Sequence, residues 1–347
     1  MKKHTAPLFI GAAFTAGMFI AADMIMDKQF YRGTYPDRRF SYDKRFEDFA
    51  GETRETVHFT SGDNILTGYI YGGDIPHPKG LVVFAHGIYA AHESYIGIIM
   101  WFKTHGWRVF TYDATGCGNS EGRNAIGLVQ SAVDLDSALS FASGYDGLSD
   151  LPVYIMGHSW GGFAAAAVLG IRKRDIRAVV SVSGYAYPEE MLMLGAEYVL
   201  GKPLALLFTP FAVLTHRARS GRYARLDAVS AINGCDVPVL IVHGEKDDYV
   251  DFGKVSIVSK RESIRSHNTA YEILTGDTAD HIRLLFSDRA NLYRARLDRE
   301  LERLAGEHGG TLSDSMRENF IRCADRELAG EVNEKLMETA ESFFCGH

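Results

Sequence analysis

The sequence predicts an α/β protein in which a mostly parallel central sheet carries helices on both faces. Three observations support this. Short, continuously apolar runs such as Leu81-Val82-Val83-Phe84-Ala85 recur along the chain, and only a strand buried on both faces needs apolar side chains in both directions. Helix-period segments separate these runs, as crossovers between parallel strands require. Finally, 347 residues that are 46% hydrophobic and 23% charged can bury a large core, which excludes a disordered or fibrous chain.

Lys2, Lys3 and His4 precede an uncharged, mostly apolar run from Thr5 to Ala22, which Asp23 ends. A spanning helix needs about 20 apolar residues and a signal-peptide core about 7–15. Residues 1–26 are therefore read as a membrane anchor first, a cleaved signal peptide second and a helix buried in a soluble body third. The basic tip would stay cytoplasmic and place the rest outside, either anchored in the membrane or, after cleavage, secreted. Residues 27–54 are polar and aromatic without a period, and read as a stalk or packing strap.

From residue 55 to 347 the pattern becomes that of a single domain. Glu55–Thr60 and Ile65–Tyr71 are β-rich runs around the turn Ser61-Gly62-Asp63-Asn64. Leu81–Ala85, Arg108–Tyr112, Val153–Met156, Ile176–Val182, Val237–Val242 and Ala270–Leu274 are the buried strands. Glu93–Thr104, Val129–Ala142 and Phe163–Leu169 are the helices between them, and Asp134 and Asp136 are expected on a solvated helix face. Residues 186–228 break the rhythm as a separate helical segment, whose Met191–Leu194, Leu204 and Leu206–Phe208 either pack on the core or line an apolar surface of their own. The segment ends in a basic run of His216, Arg217, Arg219, Arg222 and Arg225, a solvated face or, in an anchored chain, a contact with anionic lipid. After His281 comes a helical C-terminal extension, with stripes at Leu297, Leu301 and Leu304, at Met316, Phe320 and Cys323, and at Val332, Leu336 and Phe343.

Composition also limits partners. A net charge of −7, from 37 basic and 44 acidic residues, argues against a nucleic-acid partner, because phosphate binding needs clustered cations. The four cysteines form no C-x-x-C pair, so neither a disulfide scaffold nor a zinc site is implied. No metal or cofactor is expected.

Met156-Gly157-His158-Ser159-Trp160-Gly161-Gly162 lies where a buried strand meets a helix. A nucleophile there sits on a tight turn. Gly157 and Gly161 remove Cβ atoms that would clash, and the helix N-terminus faces developing negative charge. A serine nucleophile needs a base, and the base needs an orienting acid. His281, after the last strand, is the base. Asp247, in Glu245-Lys246-Asp247-Asp248, is the acid, with Asp248 the neighbour that could replace it. The oxyanion hole is assigned to the backbone N–H groups of Trp160 and Ile88. Gly87 lets that loop approach closely, and His86 braces it. His158 and His243 are read as structural hydrogen-bonding residues.

With these motifs in the order Ser, Asp, His, the chain from about Glu55 onward resembles the α/β-hydrolase superfamily. The stretch Asp113, Thr115, Gly116, Gly118, Ser120, Gly122 is similar to the D-x-R-G-x-G-x-S-x-G segment of its serine-aminopeptidase-like and monoacylglycerol-lipase-like members. Thr115 stands where those members have Arg, so whatever that Arg orders must be ordered differently. The resemblance implies the α/β-hydrolase fold, with residues 186–228 as its helical cap insertion and an apolar lid over an acyl pocket, and a Ser-His-Asp hydrolase of esters, thioesters or small amides. An ester with an apolar acyl group is the leading expectation. The alternatives are an aminopeptidase-like amidase, with Glu189, Glu190 and Glu197 receiving an ammonium group, and an anchored, non-catalytic binding protein.

Overall fold

A computed structural model describes residues 5–30, 38–123, 125–171 and 176–347, with the side chains of 15–28 in the first helix. Eight strands form one sheet: β1 (Arg54–Ser61), β2 (Asn64–Tyr71), β3 (Leu81–Ala85), β4 (Arg108–Tyr112), β5 (Val153–His158), β6 (Ile176–Val182), β7 (Val239–Gly244) and β8 (Thr269–Leu274). Their spatial order is β1-β2-β4-β3-β5-β6-β7-β8. The β1–β2 and β2–β4 pairs are antiparallel, and every later pair is parallel. Ser61 pairs with Asn64 across the expected hairpin, and Gly62 takes φ +58° at its tip.

Eleven helices are described. They are α1 (Thr5–Phe30), α2 (Ile96–Thr104), α3 (Gln130–Ala142), α4 (Trp160–Ala167), α5 (Pro188–Leu200), α6 (Lys202–Ser220), α7 (Ala228–Asn233), α8 (Asp288–Glu307), α9 (Asp314–Arg322), α10 (Arg326–Ala329) and α11 (Glu334–Cys345). Strand alternation explains why β3 is apolar throughout. Leu81, Val83 and Ala85 enter the core beneath α3, α4 and α7, while Val82 and Phe84 enter the core beneath α2 and α11. In α11 the buried stripe is Leu336, Met337, Ala340 and Phe344. Phe343 is only partly buried, and Val332 precedes the helix in a bridge to Phe286. The one-residue offset follows the helix period: Phe344, not Phe343, lies four residues beyond Ala340.

One expectation is reversed. Asp134 is fully buried, not solvated. It accepts from Ser61 Oγ (2.7 Å), Gln130 Nε2 (2.8 Å), Thr115 N (2.8 Å) and Thr115 Oγ1 (2.9 Å). Burial raises its pKa, and these hydrogen bonds oppose the rise. Thr115, the position that departs from the D-x-R-G pattern, thus ties its loop to α3 through a buried carboxylate.

The N-terminal residues pack on the body. Residues 15–28 of α1 lie along α6, with Ala22 buried beside Phe208 and Ala212 and Phe19 edge-on to Phe211 at 5.1 Å. Residues 38–53 run against the C-terminal helices. Arg326 bridges Asp48, Arg294 meets Asp43 at 2.7 Å, and Tyr42 donates to Asp298 at 2.7 Å. Among the described residues, no helix is long and apolar enough to cross a membrane.

Phe344 stands against Tyr154 and Trp107, with ring centroids 5.1 and 5.8 Å away. Phe344→Ala is expected to lower the unfolding free energy by about 3–5 kcal/mol. The measurement is a shift of the urea midpoint at unchanged slope.

Candidate active site

The β5–α4 junction forces Ser159 into φ +60°, ψ −117°, a conformation that non-glycine residues rarely adopt. Crowding explains why glycines flank it. A Cβ on Gly157 would fall on the carbonyl of Gly161, one on Gly161 would fall on the carbonyl of Ala85, and one on Gly162 would fall on that of Val182. The helix therefore packs directly on the backbone of β3 and β6. Ser159 N–H donates to Val182 O at 2.8 Å, which fixes the turn.

Three sequence-distant side chains meet here. His281 Nε2 lies 2.9 Å from Ser159 Oγ, and His281 Nδ1 lies 2.7 Å from Asp247 Oδ2. The loops after β5, β7 and β8 supply them, at the carboxyl ends of parallel strands. Asp247 Oδ1 accepts from the backbone N–H groups of Val250 (2.8 Å) and Tyr249 (3.1 Å). His243 Nε2 approaches Oδ2 at 3.1 Å. Burial alone would raise the pKa of Asp247, but the hydrogen bonds from His243 and His281 hold it well below the usual carboxylate range. Asp248 faces the cavity instead.

Sequence reading did not find the second network. Tyr95 Oη accepts from Gly87 N–H at 3.1 Å and donates to His158 Nδ1 at 2.8 Å. His158 Nε2 donates to the carbonyl of His281 at 2.8 Å. One chain of hydrogen bonds thus links the loop after β3 to the backbone that carries the imidazole. Tyr95 also sits 2.5 Å from where a Gly87 Cβ would stand. His86 accepts from Ala114 N–H through Nε2 (2.9 Å), which leaves its Nδ1 proton for Gly87 O (2.8 Å). The signal for Tyr95 was weak, because a tyrosine eight residues past a glycine has no motif value until the loop folds back.

The site opens into a cavity of about 460 Å³. Ile88, Tyr89, Tyr249 and Ile282 supply much of its wall, with Asp248, Asp280 and Arg283 as its charged groups. Trp160 begins α4 directly after Ser159, and its indole N–H donates to Leu128 O at 2.7 Å. No residue of α5 or α6 lines the cavity, so the cap is not the expected acyl lid. Its inward apolar side chains are taken up by the core and by α1. Glu189 and Glu190 are likewise engaged elsewhere, with Arg217 (2.5 Å) and Lys260 (2.8 Å). Among the described residues, no group of three or more His, Cys, Asp or Glu side chains is placed to hold a metal ion.

Comparison with known proteins agrees with this fold. Residues 76–225 match the family model described as serine aminopeptidase, S33. The esterase Pf2001 of Pyrococcus furiosus superposes with a TM-score of 0.55 at 17% identity, covering 79% of this chain and 98% of its own. The α/β hydrolase GrgF of a Penicillium species gives 0.50 at 19% identity, covering 71% and 97%. No curated protein matches the chain by sequence. The chain has the α/β-hydrolase fold, and its residues 76–225 are similar to a family of that fold.

Two buried histidines make stability depend on pH. Burial, with a contribution from His281, pushes His158 down to about 3, and burial pushes His216 down to about 4. Both stay neutral in the fold but gain a proton when unfolded, so their contribution is present above the unfolded value near ~6.5 and is lost as pH falls toward 4. Stability is expected to drop by roughly 2 kcal/mol per histidine between pH 6.5 and 5. Urea unfolding at both pH values checks this, and His216→Asn should remove about half of the slope.

Proposed function

We propose that this protein is a serine hydrolase acting on carboxylic esters through Ser159, His281 and Asp247. The alignment of Ser159 Oγ, the two imidazole nitrogens and the Asp247 carboxylate on the strained turn is the observation that carries this reading. As Ser159 Oγ attacks the carbonyl carbon, His281 Nε2 takes its proton. Asp247 stays ionised and steadies the imidazolium at Nδ1. The N–H groups of Ile88 and Trp160 receive the negative oxygen, each such donor contributing about 3–4 kcal/mol to transition-state stabilisation. His281 returns the proton to the departing alcohol. Water, deprotonated by the same nitrogen, then releases the acid from the acyl-enzyme.

The apolar walls at Ile88, Tyr89, Tyr249 and Ile282 favour an apolar acyl group. An aminopeptidase-like amidase is the second reading. It is favoured by the family match and by the Asp248 carboxylate in the cavity, a more suitable ammonium partner than Glu189 or Glu190. A tethered enzyme with its catalytic domain outside the cytoplasm completes the proposal. The uncharged run from Thr5 to Ala22 supports the tether, and the burial of Ala22 with the pairing of Asp23 and Asp27 to Arg219 supports keeping that segment in the mature chain.

A fluorophosphonate probe should label the wild type and leave Ser159→Ala unlabelled, and that variant should lose about 10⁴–10⁶-fold in kcat on aryl esters. Retention of a tenth of the rate would remove Ser159 from the mechanism. Tyr95→Phe leaves a buried N–H without its partner and is expected to lower kcat by about 5–100-fold with little change in KM. A panel of aryl esters against aminoacyl anilides separates the two readings. Asp248→Asn should weaken only substrates that carry a free amine.

A further inference from the structure

The cap leaves an apolar surface that the hydrolytic site does not use. Tyr198 and Val199 at the end of α5 are 93% and 76% exposed, and Leu206 on α6 is 77% exposed. Leu204, Leu207 and Leu214 continue the exposed face of α6. Large aliphatic side chains gathered on one projecting element mark a contact surface.

The partner lies beyond the described protein, and α1 indicates its chemistry. Phe19 meets Phe211, and Arg219 reaches both Asp23 and Asp27 (2.8 and 2.6 Å). Residue numbers therefore rise together along α1 and α6, and the two helices run parallel. This sets the apolar start of the chain at the same end of the cap as the α5–α6 turn. α1 leaves this patch exposed, and further along α6 it presents Ile20, Met24 and Ile25 outward beside its buried Ala22 and Met26. These outward apolar residues stand beside Asp23 and Asp27, whose charge Arg219 offsets, so the helix surface suits a boundary between water and an apolar medium.

Charge points the same way. From Tyr198 to Leu226 there is no acidic residue but there are five cations, in a chain whose net charge is −7. Arg217 and Arg219 are paired with Glu189 and with Asp23 and Asp27. Lys202, at the apolar tip, and Arg222 and Arg225, at the base, have no acidic partner among the described residues. An exposed aliphatic helix face with such cations at both of its ends fits an anionic bilayer surface, where the chains enter the acyl boundary and the cations meet phosphate.

We propose that α1 and the α5–α6 tip form one composite face that docks on the surface of an anionic lipid bilayer. The face lies outside the catalytic cavity, so the proposal does not depend on the hydrolytic reading. It extends the tether from the chain terminus to the cap.

Tryptophan reporters in the full-length chain test it. The native Trp101, Trp107 and Trp160 are buried and give a constant background. Leu206→Trp places a reporter on the face, and Leu292→Trp, on the exposed side of α8, serves as control. With vesicles of phosphatidylcholine and phosphatidylglycerol brominated on the acyl chains, fluorescence from position 206 should be quenched and that from position 292 should not. Equal quenching at both positions, or none at either, overturns the proposal. So does a lipid-free dimer, seen by sedimentation, that shields position 206 from iodide, since the occupant is then a second copy. Lys202→Glu and Arg222→Glu should each weaken partition into anionic vesicles about five-fold and leave purely phosphatidylcholine vesicles unaffected. Unchanged binding to anionic vesicles rejects the role of charge. Turnover of a water-soluble ester, expected to be unaltered in all four variants, reports separately on the active site.

Discussion

The contact of α4 with the sheet is made backbone to backbone, and the rest of the molecule depends on it. Gly157, Gly161 and Gly162 let a helix start directly above β3, β5 and β6, and the link at Ser159 is thereby bent into positive φ. A Cβ at any of the three would collide with a carbonyl and push the helix off the sheet. The strain holds the serine hydroxyl above the strand ends, where loops from both sides of β5 reach it. It is offset by two large apolar layers, so the local cost falls on a region that cannot relax.

Around that turn, buried carboxylates are each fully engaged, and each holds one loop. Asp247 is bound by two histidines and two backbone N–H groups and faces His281. Asp113 accepts from His92 Nδ1 (2.8 Å) and from the N–H groups of Asn119 (2.9 Å) and His92 (3.0 Å), which fixes the loop after β4. Asp134 holds Thr115 in the same loop from the helix side. A buried carboxylate with one lost partner is expensive, so these loops have little freedom. The Tyr95–His158 chain adds a direct mechanical link between the loop proposed to bind the oxyanion and the backbone of His281.

The cap plays a different part from a lid. Its inner side chains are shared between the main core and α1, while the catalytic cavity is walled by the loops after β3, β7 and β8. Ile88, Tyr89, Asp248, Tyr249 and Ile282 stand around the Ser159 hydroxyl, and the cap and the first helix pack on each other away from it.

The strand–helix order was legible from the chain because burial on both faces demands apolar runs and crossovers demand helical spacing. Ser159, Asp247 and His281 were legible as well, since a glycine-flanked turn and the ends of buried strands are local signals that survive without coordinates. Packing decided what those signals do not contain. Asp134 has the sequence context of a surface residue, and only the approach of Ser61, Thr115 and Gln130 makes it a buried acceptor. Asp247 and Asp248 are adjacent in sequence, and only the path of the loop turns one to His281 and the other to the cavity. The apolar cap was read as a pocket wall because periodicity shows that a side chain is apolar, not which surface it meets. That partner is set by contacts between residues far apart in the chain, such as Phe19 with Phe211, which no local pattern encodes.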